Sequence, residues 1–277
     1  MKKIFYSILA AGILTTAAQA QNLPVPGTGS KEPVEISAGK TLEWHQNDKQ
    51  YVANGAVEAK QGDVTILSEK LIADYRDDGS KKAESGNVQI WQLTAEENVQ
   101  IKNTDSTAVG DKAVYNVDTG MATLTGNDLK LTTPDQVITA QERMEYDTAK
   151  GIAKAIGKAK IVRGTDTLNA ATITANFEKD ANGNQVLKTA TAIGNVVIIT
   201  PEETLTGDNG FYNAATNTAE IKGNVKIVRG PNTLEGARAE VNLTTNISKM
   251  FGAPENGTRV KGVFFPGSQD GGNTPSP

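Results

Sequence analysis

A strand–turn unit that recurs along the chain constrains its fold more than any other feature. The unit has three parts: a Gly-Asn-Val-x-Ile segment, a Thr-Leu-x-Gly/Ala segment and an Ala-x-Tyr segment. Copies follow one another at irregular intervals of roughly 29 to 42 residues, as in chains built from repeated supersecondary units. Clear examples of the three parts lie at 194–198 and 223–227, at 167–170 and 204–207, and at 73–75 and 113–115.

Apolar and polar residues alternate within each unit at a period of two. Ala159 and Ile161 alternate with lysines, as do Val225 and Ile227. This alternation is typical of strands with one buried face and one face in water. Turn signals separate the segments, and none has helical spacing. The sequence therefore predicts an all-β fold of antiparallel strands, each about eight to twelve residues long and joined as successive hairpins.

The glycine that opens each Gly-Asn-Val segment has two interpretations. Inside a strand, glycine commonly marks a bulge or a close backbone approach. Repeated bends would curve the hairpins into an open, V-shaped or jellyroll-like trough with an apolar inner face. In the other interpretation the glycines only begin strands after turns. The sequence pattern leaves both open.

The first twenty residues have the composition of a secretory signal peptide. Lys2 and Lys3 precede an apolar stretch at 4–14, and small residues at Ala18 and Ala20 suit a cleavage site after Ala20. An uncleaved anchor helix is the alternative, but the apolar stretch is short for a bilayer. We therefore expect export of the chain.

Composition divides the remainder into three parts. Residues 21–33 are predicted to be a flexible segment, 34–265 the folded domain and 266–277 a disordered Gly/Pro-rich tail. The net charge of −4 becomes −6 without Lys2 and Lys3, and the basic residues are scattered, which argues against nucleic-acid binding. The chain has no cysteine, so disulfides do not stabilise it.

Candidate catalytic residues are scarce. The one histidine, His45, lies in a polar stretch predicted to be a turn, and no G-x-S-x-G motif occurs. Two carboxylates could serve a glycosidase, but the acidic residues follow turns and polar faces as on any solvated sheet. Calcium-loop spacings are absent. We expect no enzyme activity, no metal and no cofactor.

The apolar face suggests a binding role, with a simpler alternative beside it. A curled, open sheet would leave a slot lined by Val, Ile, Leu and Ala, which suits flexible alkyl chains. The same residues could instead pack on each other as a sandwich core. Open sheets also have terminal strands that can pair with other chains, here within 34–44 and 258–265.

The signal peptide, the ordered repeat units and the Arg-Val-Lys-Gly-Val-Phe-Phe-Pro ending together resemble the LptA/OstA-like family of periplasmic lipopolysaccharide-transport proteins. The resemblance covers about 35–265. It implies an OstA-like β-jellyroll that carries the acyl chains of lipid A in an apolar groove, in the periplasm. It also implies edge-to-edge stacking into a bridge, with inner-membrane LptC-like and outer-membrane LptD-like OstA domains as partners and head-to-tail homo-oligomers.

The resemblance and the alternation together predict two sets of functional residues, one at the partner edges and one that binds lipid. The predicted partner edges carry Ile36, Leu42, Val260, Val263 and Phe265. The predicted lipid-binding residues are Val57, Ile66, Val99, Ile101, Leu124, Leu131, Ile161, Leu168, Val196, Ile198, Ile221, Val225, Ile227 and Leu234. The alternative function is an exported structural or adhesive β-repeat protein without a lipid ligand. This chain departs from compact family members in its polar stretch at 76–85 and its long C-terminus.

Overall fold

The computed structural model describes residues 34–77, 88–181, 183–245, 247–253, 257 and 259–265. The predicted signal peptide, the 21–33 segment, the C-terminal tail and most of the polar stretch at 76–85 lie outside these residues. The secondary structure of the described part consists of β-strands, which confirms the predicted all-β class. None of the described residues form a helix with the length and apolar character needed to cross a membrane.

The described strands form one antiparallel sheet of 18 members. The first ten are β1 (Glu35–Ser37), β2 (Thr41–His45), β3 (Gln50–Gln61), β4 (Val64–Asp77), β5 (Val88–Lys102), β6 (Thr107–Asn116), β7 (Met121–Thr125), β8 (Leu129–Thr132), β9 (Val137–Ala140) and β10 (Arg143–Asp147). The other eight are β11 (Ile152–Arg163), β12 (Asp166–Lys179), β13 (Gln185–Ile199), β14 (Thr204–Asn213), β15 (Thr218–Arg229), β16 (Asn232–Asn242), β17 (Ile247–Phe251) and β18 (Lys261–Val263).

The sheet is a stack in which each layer pairs with the next along the chain. Most layers are one long strand, and the longest, β5 and β13, have 15 residues, more than the predicted length. Four layers contain two short strands each: β1 with β2, β7 with β8, β9 with β10 and β17 with β18. The 18 described strands therefore make fourteen layers.

A two-residue bulge divides the long strands near their middle. In β13 the register shifts between Ile193 and Val196, and Gly194 and Asn195 between them have φ of 81° and 51°. Equivalent pairs with positive φ lie at 55–56, 97–98, 157–158 and 223–224. The glycines thus lie inside strands and bend them, which decides between the two interpretations of the repeat.

The bends fold the sheet into two arms. We call the half-sheet that contains residues 57–61 and 64–67 the short arm, and the half that contains 50–54 and 70–77 the long arm. Inner side chains of both arms, such as Ile66 and Leu71, belong to one buried cluster. The molecule is therefore the predicted open, V-shaped β-jellyroll, with the bulges along its corner.

Acidic side chains on neighbouring strands hold the corner. The Asn224 side-chain amide donates to Asp208 at 2.9 Å, and the Asn127 backbone N–H donates to Asp111 at 3.0 Å. The backbone N–H of Ala56 donates to Glu69 at 3.3 Å. The Ala56 backbone N–H, which the bulge removes from the ladder, gains a charged acceptor in this way, and the other two contacts tie the corner to the neighbouring strand.

The stack contains two copies of one arrangement. The first layer, β1 and β2, begins at Glu35 and Thr41, and β9 and β10 begin 102 positions later at Val137 and Arg143. The strands β3 and β4 have counterparts in β11 and β12 at the same offset, and β5 and β6 have counterparts in β13 and β14 at an offset of 97. The layer of β9 and β10 therefore ends one copy and begins the next.

Replacing Gly194 by alanine tests the corner. The alanine would have to keep φ near +81°, and its Cβ would come within 2.9 Å of the Ala171 Cβ. We expect the free energy of unfolding to fall by about 2–4 kcal/mol, from the left-handed backbone and from overpacking. Gly164→Ala is the control, because its φ is +56° but no atom lies within 4 Å. It should lose only about 1–2 kcal/mol. Equal losses in urea denaturation would contradict this account of the corner.

Candidate functional site

The inner face of the two arms is continuous and apolar over the length of the stack. One buried cluster extends from Ala53 on β3 to Ala239 on β16, with Ile36 and Met250 from the terminal layers packed against it. Outward positions carry the lysines of the alternation, and Lys226 pairs there with Glu235 at 3.0 Å. The face that sequence alternation predicts to be apolar is therefore enclosed by the fold.

An apolar cavity of about 140 Å³ separates the two arms between β4 and β12. Its walls are nearly all hydrocarbon, since inner side chains from both arms point into it. The short arm contributes Ile66, Ile101, Ala108, Leu131, Ile138 and Ile161. The long arm contributes Leu71, Leu93, Ala95, Ala113, Tyr115, Ala122, Leu124, Met144, Tyr146, Ala153, Ala155, Ile173 and Ala175.

All fourteen residues predicted to bind lipid lie in the inner cluster, either buried or packed against it. The structure separates them by location. Ile66, Ile101, Leu124, Leu131 and Ile161 line the cavity. The remaining nine, which are Val57, Val99, Leu168, Val196, Ile198, Ile221, Val225, Ile227 and Leu234, are not among the residues that line it.

The valines of the Gly-Asn-Val units have a distinct place. Val57, Val99, Val196 and Val225 each follow a corner bulge directly and are at most 1% exposed. They fill the apex of the V, where the two arms meet. Their burial against other inner side chains gives them a structural role in holding the arms together.

The Ala-x-Tyr part of the repeat places tyrosines along the inner face of the long arm, near its turns. Tyr115 is buried there in a cluster with Ala73 and Leu93, and Tyr51 and Tyr146 pack against that cluster. Tyr75 is also buried, and its ring centroid lies 4.9 Å from that of Tyr51. The Trp44 indole N–H donates to the Tyr75 hydroxyl at 2.6 Å. The tyrosine rings form a more polar band beside the aliphatic cluster, because each ring has an apolar body with a hydroxyl at its tip.

Two of these tyrosines line the cavity, and both remain neutral. Burial raises the pKa of Tyr146 above its ordinary value, although the Gln185 side-chain amide donates to its hydroxyl at 2.9 Å. Burial also raises the pKa of Tyr115, and a hydrogen bond with Thr148 opposes the rise. The long-arm side of the cavity therefore has uncharged hydroxyl groups at a wall that is mostly hydrocarbon, and Thr123, Glu145 and Lys154 also border it.

The predicted partner edges are the two ends of the stack. Within the part of the chain that the structure describes, Ile36 and Leu42 lie in the first layer, which pairs only with β3. Val263 lies in the last layer, which pairs there only with β16. Val260 and Phe265 flank that last strand and are exposed. Leu42 is 57% exposed although Ala53, which lies opposite it on β3, is buried. Both ends thus present unpaired strands and uncovered apolar side chains.

Sequence reasoning missed the small residues that make room for the cavity. Ala95, Ala108, Ala113 and Ala155 all take inner positions and line it. The period-two alternation could have identified these alanines, because each lies at a position where the alternation places inward-facing residues. The pair Glu97-Asn98 was also missed as a corner, since it has no glycine although both residues have positive φ.

The histidine and the acidic residues are the remaining candidates for chemistry. His45 ends β2 and its ring hydrogen-bonds to Glu43 at 2.8 Å on the surface. Over the described ranges, no three residues of the types His, Cys, Asp and Glu are grouped so that they could hold a metal ion.

Truncating an apex valine should destabilise the fold. Val99→Ala removes two buried carbons, each worth about 0.8 kcal/mol, and leaves a cavity, so we expect a loss of about 2–3 kcal/mol in the free energy of unfolding. Val109→Ala is the control, because Val109 lies in the outward phase of β6, opposite Gln100 and Lys130. It should cost less than about 1 kcal/mol. Similar losses in both variants would show that the apex is not tightly packed.

Comparison with known proteins places this architecture in a family. The family model for LptA and the LptD N-terminal domain, described as lipopolysaccharide transport proteins, matches the chain twice, at residues 35–152 and 138–247. The curated proteins searched contain no match. Among solved structures, LptH of Pseudomonas aeruginosa, described as the LptA-homologous periplasmic component of the lipopolysaccharide transport device, is 20% identical over 47% of this chain and 95% of its own, with a TM-score of 0.39. The two family matches cover most of the described residues and coincide with the two copies in the sheet, so the chain belongs to the LptA/LptD N-terminal family of lipopolysaccharide transport proteins.

Proposed function

We propose that this protein binds lipopolysaccharide through the acyl chains of lipid A and carries it between the two arms of the jellyroll. The observation that carries the proposal is the hydrocarbon-walled cavity inside a member of a lipopolysaccharide transport family. Saturated chains need no hydrogen-bond partners, and each buried methylene gains about 0.8 kcal/mol. Apolar cavities of about 150 Å³ stay dry in other proteins and accept small hydrocarbons.

The proposal divides the fourteen predicted residues by role. Side chains at the cavity, such as Ile101, Leu124 and Ile161, would contact acyl chains. Apex residues such as Val99 and Val196 would support the floor of the groove, since their burial leaves them no surface to offer. Because the backbone joins the two arms only along the corner, small changes at the bulges would open the V and let longer chains enter.

The same proposal assigns location and partners. Export with cleavage after Ala20 would deliver the chain to the periplasm. There its two ends would pair with LptC-like domains at the inner membrane and LptD-like domains at the outer membrane, or with further copies of itself, to form a bridge. Strand addition at an open edge supplies backbone hydrogen bonds for such contacts. We assign the protein no catalytic step, no cofactor and no nucleic-acid ligand.

Photo-crosslinking tests the binding proposal. A photoreactive amino acid at Ile161, which lines the cavity, should capture lipopolysaccharide in cells, whereas one at Lys160, whose side chain faces outward, should not. Equal capture at both positions would exclude a groove. If neither position captures lipid and none co-purifies in native mass spectrometry, the inner face is only a core, as a structural or adhesive protein would have.

Charge substitutions at the ends test the bridge. We expect Leu42→Asp and Phe264→Asp each to weaken self-association, measured by sedimentation velocity, because each puts a charge on an apolar end that a neighbour would cover. Their side chains are 57% and 69% exposed, so the monomer should tolerate both changes. Phe211→Asp is the control, since Phe211 is 41% exposed on β14, far from either end. Unchanged association in the two end variants would refute end-to-end stacking.

A further inference from the structure

The cavity is built by both copies of the repeated arrangement together. Ile66 and Ile101 come from β4 and β5 of the first copy, and Ile161 and Ile173 come from β11 and β12 of the second. Ile138 lies in the shared layer between them. The cavity is therefore centred on the junction and belongs to neither copy alone.

The corner of the sheet differs at this junction from the corners elsewhere. Short strands replace one long strand in both central layers, and residues 126–128 separate β7 from β8. The equivalent layer of the second copy is the single strand β15, in which only Gly223 and Asn224 form the corner. One additional residue and the interruption of the strand thus distinguish this corner, which lies between Leu124 and Leu131 of the cavity wall.

One short-arm position of the cavity has a smaller side chain in the first copy than in the second. Ala108 opposes Ile101 and Leu131 in the first copy, whereas its counterpart Leu205 opposes Ile198 and Ile227 in the second. Ala108 lines the cavity, while Leu205 is 1% exposed and packed within the inner cluster. The larger side chain thus fills in the second copy the space that the first copy leaves open.

We propose that the chain has one principal lipid chamber, which lies at the junction and takes the acyl chains of a single lipid, instead of one chamber in each copy. This inference rests on the proposed function and adds its stoichiometry and position. The walls at the junction need side chains from both copies and from the shared layer, so a single copy would lack half of the chamber.

Matched crosslinking positions test the location. Ile101 and Leu124 line the cavity, and Ile198 and Ile221 are their counterparts in the second copy. We expect capture of lipopolysaccharide at Ile101 and Leu124 to exceed capture at the counterparts by roughly tenfold. Equal capture at all four would overturn the single chamber and leave the proposed function standing. Capture at none of the four would overturn both.

Two reciprocal substitutions exchange side chains between the copies. Ala108→Leu inserts the side chain that the second copy carries, and it should lower capture at Leu124 several-fold by filling the chamber. Ala190→Leu inserts in the second copy the leucine that the first copy has at Leu93, and it should leave capture at Leu124 unchanged. An equal loss in both variants would contradict the proposed position.

Native mass spectrometry of the unmodified protein supplies an independent count. We expect one lipopolysaccharide molecule per chain in the saturated state. Two molecules per chain would overturn the single chamber but support lipid binding, and a lipid-free protein after exposure to lipopolysaccharide would overturn the binding proposal itself.

Discussion

The two-residue left-handed bulge at the centre of alternate long strands is the constraint on which the rest of the molecule depends. A flat antiparallel sheet of fourteen layers would expose one apolar face to water along its whole length. The bulges at positions such as 194–195 and 223–224 turn each strand by the same sense at the same place, so the apolar face folds onto itself. Burial of that face then supplies the main stabilising free energy. The inner groove, the open ends and the apex valines all follow from this bend.

Each of the repeated corners has its own local interactions that stabilise the bend. A single non-glycine residue in the left-handed region costs free energy, so glycine or asparagine takes most of these positions. Neighbouring carboxylates accept hydrogen bonds from the bulge: Asp208 accepts from the Asn224 side chain, and Glu69 accepts from the Ala56 backbone N–H that the bend removes from the ladder. Because each corner is stabilised locally, a corner without glycine, at Glu97 and Asn98, is still tolerated.

Sequence alone predicted the strands, the alternation and the apolar face, because a period of two is a local signal that survives without tertiary context. All fourteen nominated inner residues lie on that face for the same reason. The sequence did not reveal which of them line a cavity. That depends on the distance between two arms, which is set by residues far apart in the chain, such as Ala108 and Ile173. The duplication was also hidden, since the intervals between short repeats are irregular and masked the longer offsets of 102 and 97.

The shared layer of β9 and β10 has a consequence for transport distance. Fourteen layers at about 4.8 Å each give a trough of about 60 Å, twice the thickness of a hydrocarbon bilayer core. Two separate single-copy proteins would need an intermolecular contact in the middle of that length, and the contact would form only above a certain protein concentration. In this chain the shared layer makes that connection covalently, so the two copies stay joined at any protein concentration. Under the function proposed above, a lipid that follows the groove would pass from one copy to the other without changing protein partners.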